Sequence, residues 1–131
     1  MIKLAKHYAV FFLIGCIGYP IIEILWRGYT HISMVFAGGL CFCVFSLVNR
    51  IFKEWNLLCR ALVSALGVIA VELVFGVVFN ILLGLEVWVY SDQPLNLLGQ
   101  VCPLFFLLWT LLALVMLPFA KTIEEKLSAI I

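Results

Sequence analysis

Charge is scarce in this chain. Asp, Glu, Lys and Arg make up 11% of its 131 residues and hydrophobic residues 66%. A soluble domain holds roughly 25% charged and about 45–50% apolar residues. There is too little polar surface to cover a globule in water, so the solvent is a bilayer. Mean hydropathy of +1.25 says the same. A net charge of +1 leaves no basic footprint for nucleic acid, which is excluded as a partner. Catalytic signatures are missing too. With no GxxxxGK[ST] phosphate loop, the chain does not itself hydrolyse ATP in the usual way; GxSxG and HExxH are also absent. We read it as no enzyme and expect no cofactor. Polar linkers and low-complexity stretches are lacking, which leaves a single transmembrane domain over 1–131. The five cysteines (Cys16, Cys41, Cys43, Cys59, Cys102) lie in or beside apolar runs, and Cys41 and Cys43 face different sides of a helix. They read as small buried hydrophobes, with no disulfide framework and no metal site expected.

Four apolar segments are present, roughly 8–26, 33–52, 57–83 and 100–119. Each meets or approaches the roughly 20 residues that carry a helix across about 30 Å of hydrocarbon. Period-2 alternation is absent, and backbone groups in lipid must be satisfied internally, so the spans are helices. The start, MIKLAKHYAVFFLIGCIGYP, has Lys3 and Lys6 before an apolar run but no clear small-x-small cleavage site; it reads as a retained first helix. The tail KTIEEKLSAII reads as a short helix end at the inner surface. Lys3, Lys6, Arg50, Lys53, Arg60, Lys121 and Lys126 fall on one side of the resulting topology and only Arg27 on the other, seven of the eight cations. The positive-inside rule then puts both termini and the second loop in the cytoplasm, N-in and C-in. Trp26, Trp55 and Trp88 fall near span ends, as interfacial anchors do.

Two spans carry polar stripes at helical spacing. In the third, Glu72, Gly76, Asn80 and Gly84 recur every four residues and share a face. Glu72 lies twelve residues past Arg60, hence roughly 18 Å deep, near the midplane. A charge there costs about 2.5–3.5 kcal/mol on insertion scales, so such a group points inward and is protonated or paired. It marks a substrate or cation site or a proton relay; the bland reading is a structural hydrogen bond between helices, with Gly76 permitting close approach. In the first span Gly15, Tyr19, Glu23 and Arg27 repeat the spacing. Glu23 and Arg27 can neutralise each other, or one of them can reach Glu72 or the outer segment. Pro20 can kink that helix. Gly38 and Gly39 read as packing residues, and His31 as a satisfied turn residue rather than a ligand.

The segment from Glu86 to Gln100, EVWVYSDQPLNLLGQ, is free of cations and dense in aromatics and hydrogen-bonding groups. It faces outward in this topology. Trp88 and Tyr90 can anchor at the headgroups with Pro94 and Asn96 in a turn. Alternatively, the segment folds back between helices and lines a cavity, where irregular backbone is tolerated at membrane depth. Its density of donors and acceptors favours the second. Pro103 falls in the first turn of the fourth helix, where its missing N–H costs little.

At these residues the chain resembles the putative ABC-transporter type IV family of small four-span bacterial membrane proteins. The resemblance rests on Glu23, Arg27-Gly28, Gly38-Gly39-Leu40-Cys41, Glu72, Gly76 and Asn80. Its most specific part is Trp88-Val89-Tyr90-Ser91 with Pro94, Asn96, Gly99-Gln100 and Cys102. The family favours Asp after the Trp; Val89 departs from that, so an acidic role there is lost or passes to Glu86 or Asp92. The resemblance implies a permease-like subunit of the bacterial inner membrane, working with a separate ATPase.

Together these readings give an all-α integral membrane four-helix bundle, multi-pass in the cell membrane, with a short irregular or re-entrant outer segment between helices 3 and 4. The expected function is permease-like transport with an outward-facing polar pocket, by a homo-oligomer or with an ATPase subunit. Glu72 and Asn80 would line the pocket, Trp88, Tyr90, Ser91, Asn96 and Gln100 would form or cap its outer wall, and Glu23 and Arg27 would tune it. The loop Asn49–Arg60 is a docking surface for a partner. The rival is a non-transporting scaffold or accessory protein whose polar residues only pack helices; a third reading is an intramembrane enzyme acting on a lipid headgroup. The small-molecule or ion substrate is not named by the residues.

Overall fold

The structure, a computed structural model, describes residues 2–84 and 103–130, with residues 2–4 and 27 described by backbone alone. The outer segment expected over Glu86–Gln100 lies outside the described residues. The chain is all-α: α1 is Ile2–Arg27, α2 Ile32–Ile51, α3 Leu57–Phe75 with a π-helical continuation Gly76–Leu82, and α4 Pro103–Ile130. All four are long and apolar enough to cross a membrane, which makes this a multi-pass membrane protein. Side chains such as Leu13, Ile17, Leu66, Leu107 and Val115 stand exposed along them, as a lipid solvent allows.

Local chemistry sets the helix ends. Gly28, at φ +81, closes α1 by donating its N–H to the Ile24 carbonyl at 2.9 Å, a left-handed position that suits glycine. His31 caps α2, its Nδ1 accepting the Ser33 N–H at 3.1 Å. Asn56 caps α3, its Oδ1 accepting the Cys59 N–H at 2.8 Å. In the π-helical continuation the Leu83 N–H reaches back five residues to the Val78 carbonyl at 3.1 Å. Sequence spacing gives no sign of this widened turn. It has a consequence for the stripe: Ser64, Val68, Glu72, Gly76 and Asn80 are all buried, a strict period of four. An α-helix of 3.6 residues per turn would rotate such a stripe steadily out of register. A turn with more residues per revolution brings it back.

α4 also departs from expectation. The fourth span reads from sequence as 100–119 followed by a short helix end, yet one helix runs unbroken through Pro118 to Ile130. Proline in a helix interior costs about 3 kcal/mol. Leu117 and Ala120 on either side are fully buried in the core, and that packing holds the helix through the defect. At 1.5 Å per residue, 28 residues span about 42 Å, so the Lys121–Ile130 end reaches beyond a hydrocarbon layer of about 30 Å.

α2 is the central element and packs on each of the other three. Phe11, Phe42, Phe45, Val68 and Leu117 form the middle of the core, with the Phe11 and Phe42 rings 5.2 Å apart. Small residues set the close approaches. Gly15 on α1 lies against Gly38 and Gly39 on α2. A Cβ on Gly39 would stand 2.7 Å from Cys16 Sγ, and one on Gly38 would stand 2.7 Å from the Gly15 carbonyl oxygen and collide with Tyr19.

At one end, hydrogen bonds tie all four helices. Asn49 donates to the Leu117 carbonyl at 2.8 Å and accepts from Arg60 at 2.6 Å, joining α2, α4 and α3. Glu124 Oε1 meets His7 Nδ1 at 2.7 Å and Arg50 at 3.0 Å, joining α4 to α1 and α2. Arg50 also lies 5.6 Å over the Tyr8 ring.

Substituting Gly38→Leu therefore forces α1 off α2. We expect a loss of about 1–3 kcal/mol of unfolding free energy in detergent, against under about 0.5 kcal/mol for lipid-facing Ile17→Val. Denaturant titration followed by circular dichroism compares the two.

Candidate functional site

The buried stripe on α3 brings one carboxylate into the apolar interior, and α4 supplies its partner. Glu72 is 5% exposed, and Trp109 of α4, at 8%, donates its indole N–H to Glu72 Oε1 at 2.9 Å. Both residues sit at positions where helix periodicity aims the side chain inward: Trp109, Ala113 and Leu117 follow one another at four-residue steps on the buried face of α4. The second carboxylate oxygen, Oε2, is buried without a hydrogen-bond partner among the described residues. A buried acceptor left in that state costs about 1–3 kcal/mol, more when charged.

Glu72 opens on a cavity of about 290 Å³. Its walls come from all four helices: Tyr19, Ile22, Glu23 and Trp26 of α1, Met34 of α2, Glu72 of α3, and Phe105, Leu108, Trp109 and Leu112 of α4. The Tyr19 and Trp109 rings are 5.5 Å apart and inclined at 55°. Thus the cavity carries two carboxylates, from α1 and α3, on an otherwise apolar and aromatic lining. Such a surface suits a cation with an apolar body: the carboxylates supply opposite charge and the ring faces add quadrupole attraction. It does not suit an anion.

The structure therefore joins two of the candidate site residues read from the sequence, Glu23 and Glu72, together with Tyr19 of the same α1 stripe and Trp26. Asn80 is buried two turns further along, outside the described lining of this cavity. Arg27 ends α1 four residues beyond Glu23, and only its backbone is described. Trp88, Tyr90, Ser91, Asn96 and Gln100 lie outside the described residues, as does their role as an outer wall. Sequence reasoning missed Trp109 altogether. Its signal was position: a tryptophan well inside a span, away from the interfacial belts, carries an N–H that needs an acceptor in the membrane interior. His31 points elsewhere, spending its Nδ1 on the Ser33 cap. Among the described residues no group of three or more His, Cys, Asp or Glu could hold a metal ion.

Compared with known proteins, the chain matches the family model described as putative ABC-transporter type IV over residues 9–131. No curated protein and no solved structure matches it.

The Trp109–Glu72 bond can be weighed by a double-mutant cycle with Trp109→Phe and Glu72→Leu. The expected coupling is about 0.6–1.7 kcal/mol, the range for side-chain hydrogen bonds within membranes. Equilibrium unfolding in detergent measures it, and a coupling of zero would reduce the bond to mere proximity.

Proposed function

The chain belongs to the putative ABC-transporter type IV family, and on that premise we propose that it is a permease-like transport subunit whose solute is an organic cation. One observation carries the reading: carboxylates from two helices, Glu23 and Glu72, open on one aromatic-lined cavity. Its volume of about 290 Å³ stands at the lower edge of the roughly 300–1,000 Å³ typical of small-molecule sites. Glu72 Oε2, buried and lacking a partner among the described residues, is the acceptor that a bound ammonium group would satisfy.

In this proposal the chain lies in the cell membrane of a bacterium. Seven of its eight cations set the Asn49–Arg60 end in the cytoplasm. The cavity, at the opposite end of the helices, then opens outward, toward the side on which Trp88, Tyr90, Ser91, Asn96 and Gln100 would cap it, and Asn80 and Arg27 would shape its approach. The chain supplies no catalytic chemistry of its own. Energy comes from a separate ATPase subunit docked at the cytoplasmic end, or several copies work as a homo-oligomer. A second reading draws on the Trp109–Glu72 bond: a scaffold or accessory protein in which these polar groups only fasten helices.

Titration of the purified protein in detergent with benzylammonium, followed by calorimetry, separates the two. The transport reading expects saturable binding that Glu72→Gln weakens at least tenfold, about 1.4 kcal/mol, while helicity and thermal transition persist. Glu23→Gln should weaken it as well. Absence of saturable binding by the wild-type protein, or equal binding by both variants, would overturn the cation site. Loss of the fold in Glu72→Gln, with Glu23→Gln binding as tightly as wild type, would favour the scaffold.

A further inference from the structure

A second cavity, of about 180 Å³, lies at the other end of the helices, where Asn49, Arg50, Lys53, Arg60, Lys121 and Glu124 face one another. We propose that it is a binding site for a phosphate-bearing anion: the headgroup of an anionic phospholipid, or free phosphate. The site shares no residue with the Glu72 cavity, so it stands apart from the organic-cation site.

Charge is the first argument. Four cations surround this cavity and one carboxylate does, in a chain with only eight cations. One oxygen of that carboxylate is already engaged, since Glu124 Oε1 meets both His7 and Arg50, while Oε2 is buried and without a hydrogen-bond partner among the described residues. The cations converge from different elements: Arg50 from the end of α2, Lys53 from the loop after it, Arg60 from α3 and Lys121 from α4. Ordinary positive-inside residues fan out into water; these four line one concavity.

Preorganisation is the second. Arg60 is held by Asn49, which accepts from its guanidinium at 2.6 Å and is itself fixed to the Leu117 carbonyl at 2.8 Å. The guanidinium is thus aimed before any ligand arrives. Its Nε is buried and has no acceptor among the described residues. An N–H so placed calls for an oxygen, and a guanidinium edge matches two phosphate oxygens in a planar fork. Arg50, with its side chain 41% exposed, and exposed Lys53 and Lys121 form the open rim.

Depth is the third. Lys121 stands where α4 emerges from the apolar layer, three residues after Pro118. The cavity therefore sits at headgroup level, where basic pockets between helices receive anionic lipids. A volume of 180 Å³ admits a phosphodiester group and little more; an acidic protein segment would need a broader, flatter surface.

The test uses delipidated full-length protein and native mass spectrometry. Short-chain phosphatidylglycerol, phosphatidylcholine with the same acyl chains, inorganic phosphate and a hexaglutamate peptide are each titrated. We expect phosphatidylglycerol to bind at least tenfold more tightly than phosphatidylcholine, and Lys53→Gln/Lys121→Gln, at exposed positions, to erase that preference. Arg60→Lys, which keeps charge but loses the fork, should weaken binding severalfold. Saturable binding of inorganic phosphate that competes with the lipid and is lost in the double variant would support the site with a soluble source. Equal binding of the two lipids without a phosphate response would overturn it, as would a preference untouched by the double variant. Binding of hexaglutamate alone would overturn it in favour of a protein partner.

Discussion

The contact of Gly15 with Gly38 and Gly39 is the constraint on which the rest of the arrangement hangs. No side chain separates α1 from α2 there, so the two backbones touch. Because lipid is as apolar as a leucine side chain, helices in a membrane gain little from burying apolar surface against one another; close packing and polar bonds must hold them. α1 shows the result. It packs extensively on α2 and much less on α3 or α4. Its glycine face is committed to α2, and the room left between α1 and α4 becomes the cavity that Glu23 and Glu72 share. A larger residue at any of the three glycines would shift α1 and with it one wall of that cavity.

Polar bonds divide unevenly between the two ends. Asn49 and Glu124 each join three helices at one end. At the other, Trp109 and Glu72 join two, with one carboxylate oxygen unmatched among the described residues. Neither end is fully satisfied: His7 Nε2, Arg60 Nε and Glu124 Oε2 are unmatched at the first among the described residues, as Glu72 Oε2 is at the other, and such a half-satisfied network is where a ligand can add stability. The fastened end also explains how α4 survives Pro118. The bonds to Leu117 and Glu124 bracket the proline, so helix on both sides is anchored independently of the missing backbone bond.

Much of this was legible in the sequence, and the residues show why the remainder was not. Four spans follow from run length, which hydrophobic thickness fixes with little ambiguity. Gly38-Gly39 as packing residues and His31 as a satisfied turn residue follow from local chemistry; the structure packs the glycines against α1 and adds that His31 caps α2. Glu72 as an inward-facing group follows from the cost of a carboxylate in lipid. The π-helical turn at Gly76 was invisible because a period-four stripe reads as an α-helical face whichever turn carries it. Trp109 was missed because its partner lies 37 residues away, and a pairing of that span leaves no local pattern. Glu124 was read as tail for the same reason: its partners His7 and Arg50 belong to other helices. The outer run from Glu86 to Gln100 stays an expectation of the sequence, and it is the part on which the family resemblance was most specific.

Magnitudes say why the Glu72 cavity, rather than the basic end, governs what that carboxylate does. Arg60 lies twelve residues away on the same helix, about 18 Å by helical rise. At an effective dielectric constant of about 20, two unit charges that far apart attract by about 0.9 kcal/mol. An ionised carboxylate at mid-span costs about 2.5–3.5 kcal/mol, so the distant cations are too weak to hold it. The indole bond from Trp109 contributes more, about 1.5–3 kcal/mol for a hydrogen bond to a charged group, but it reaches only one of the two oxygens. Together the two are comparable to that cost, but neither reaches Oε2, and a partner for that oxygen has to lie within hydrogen-bond distance of it. The cavity meets that side chain, and its other carboxylate, Glu23, is of the same sign. A cation placed there meets both carboxylates with opposite charge, and an N–H on it would satisfy Oε2 as well.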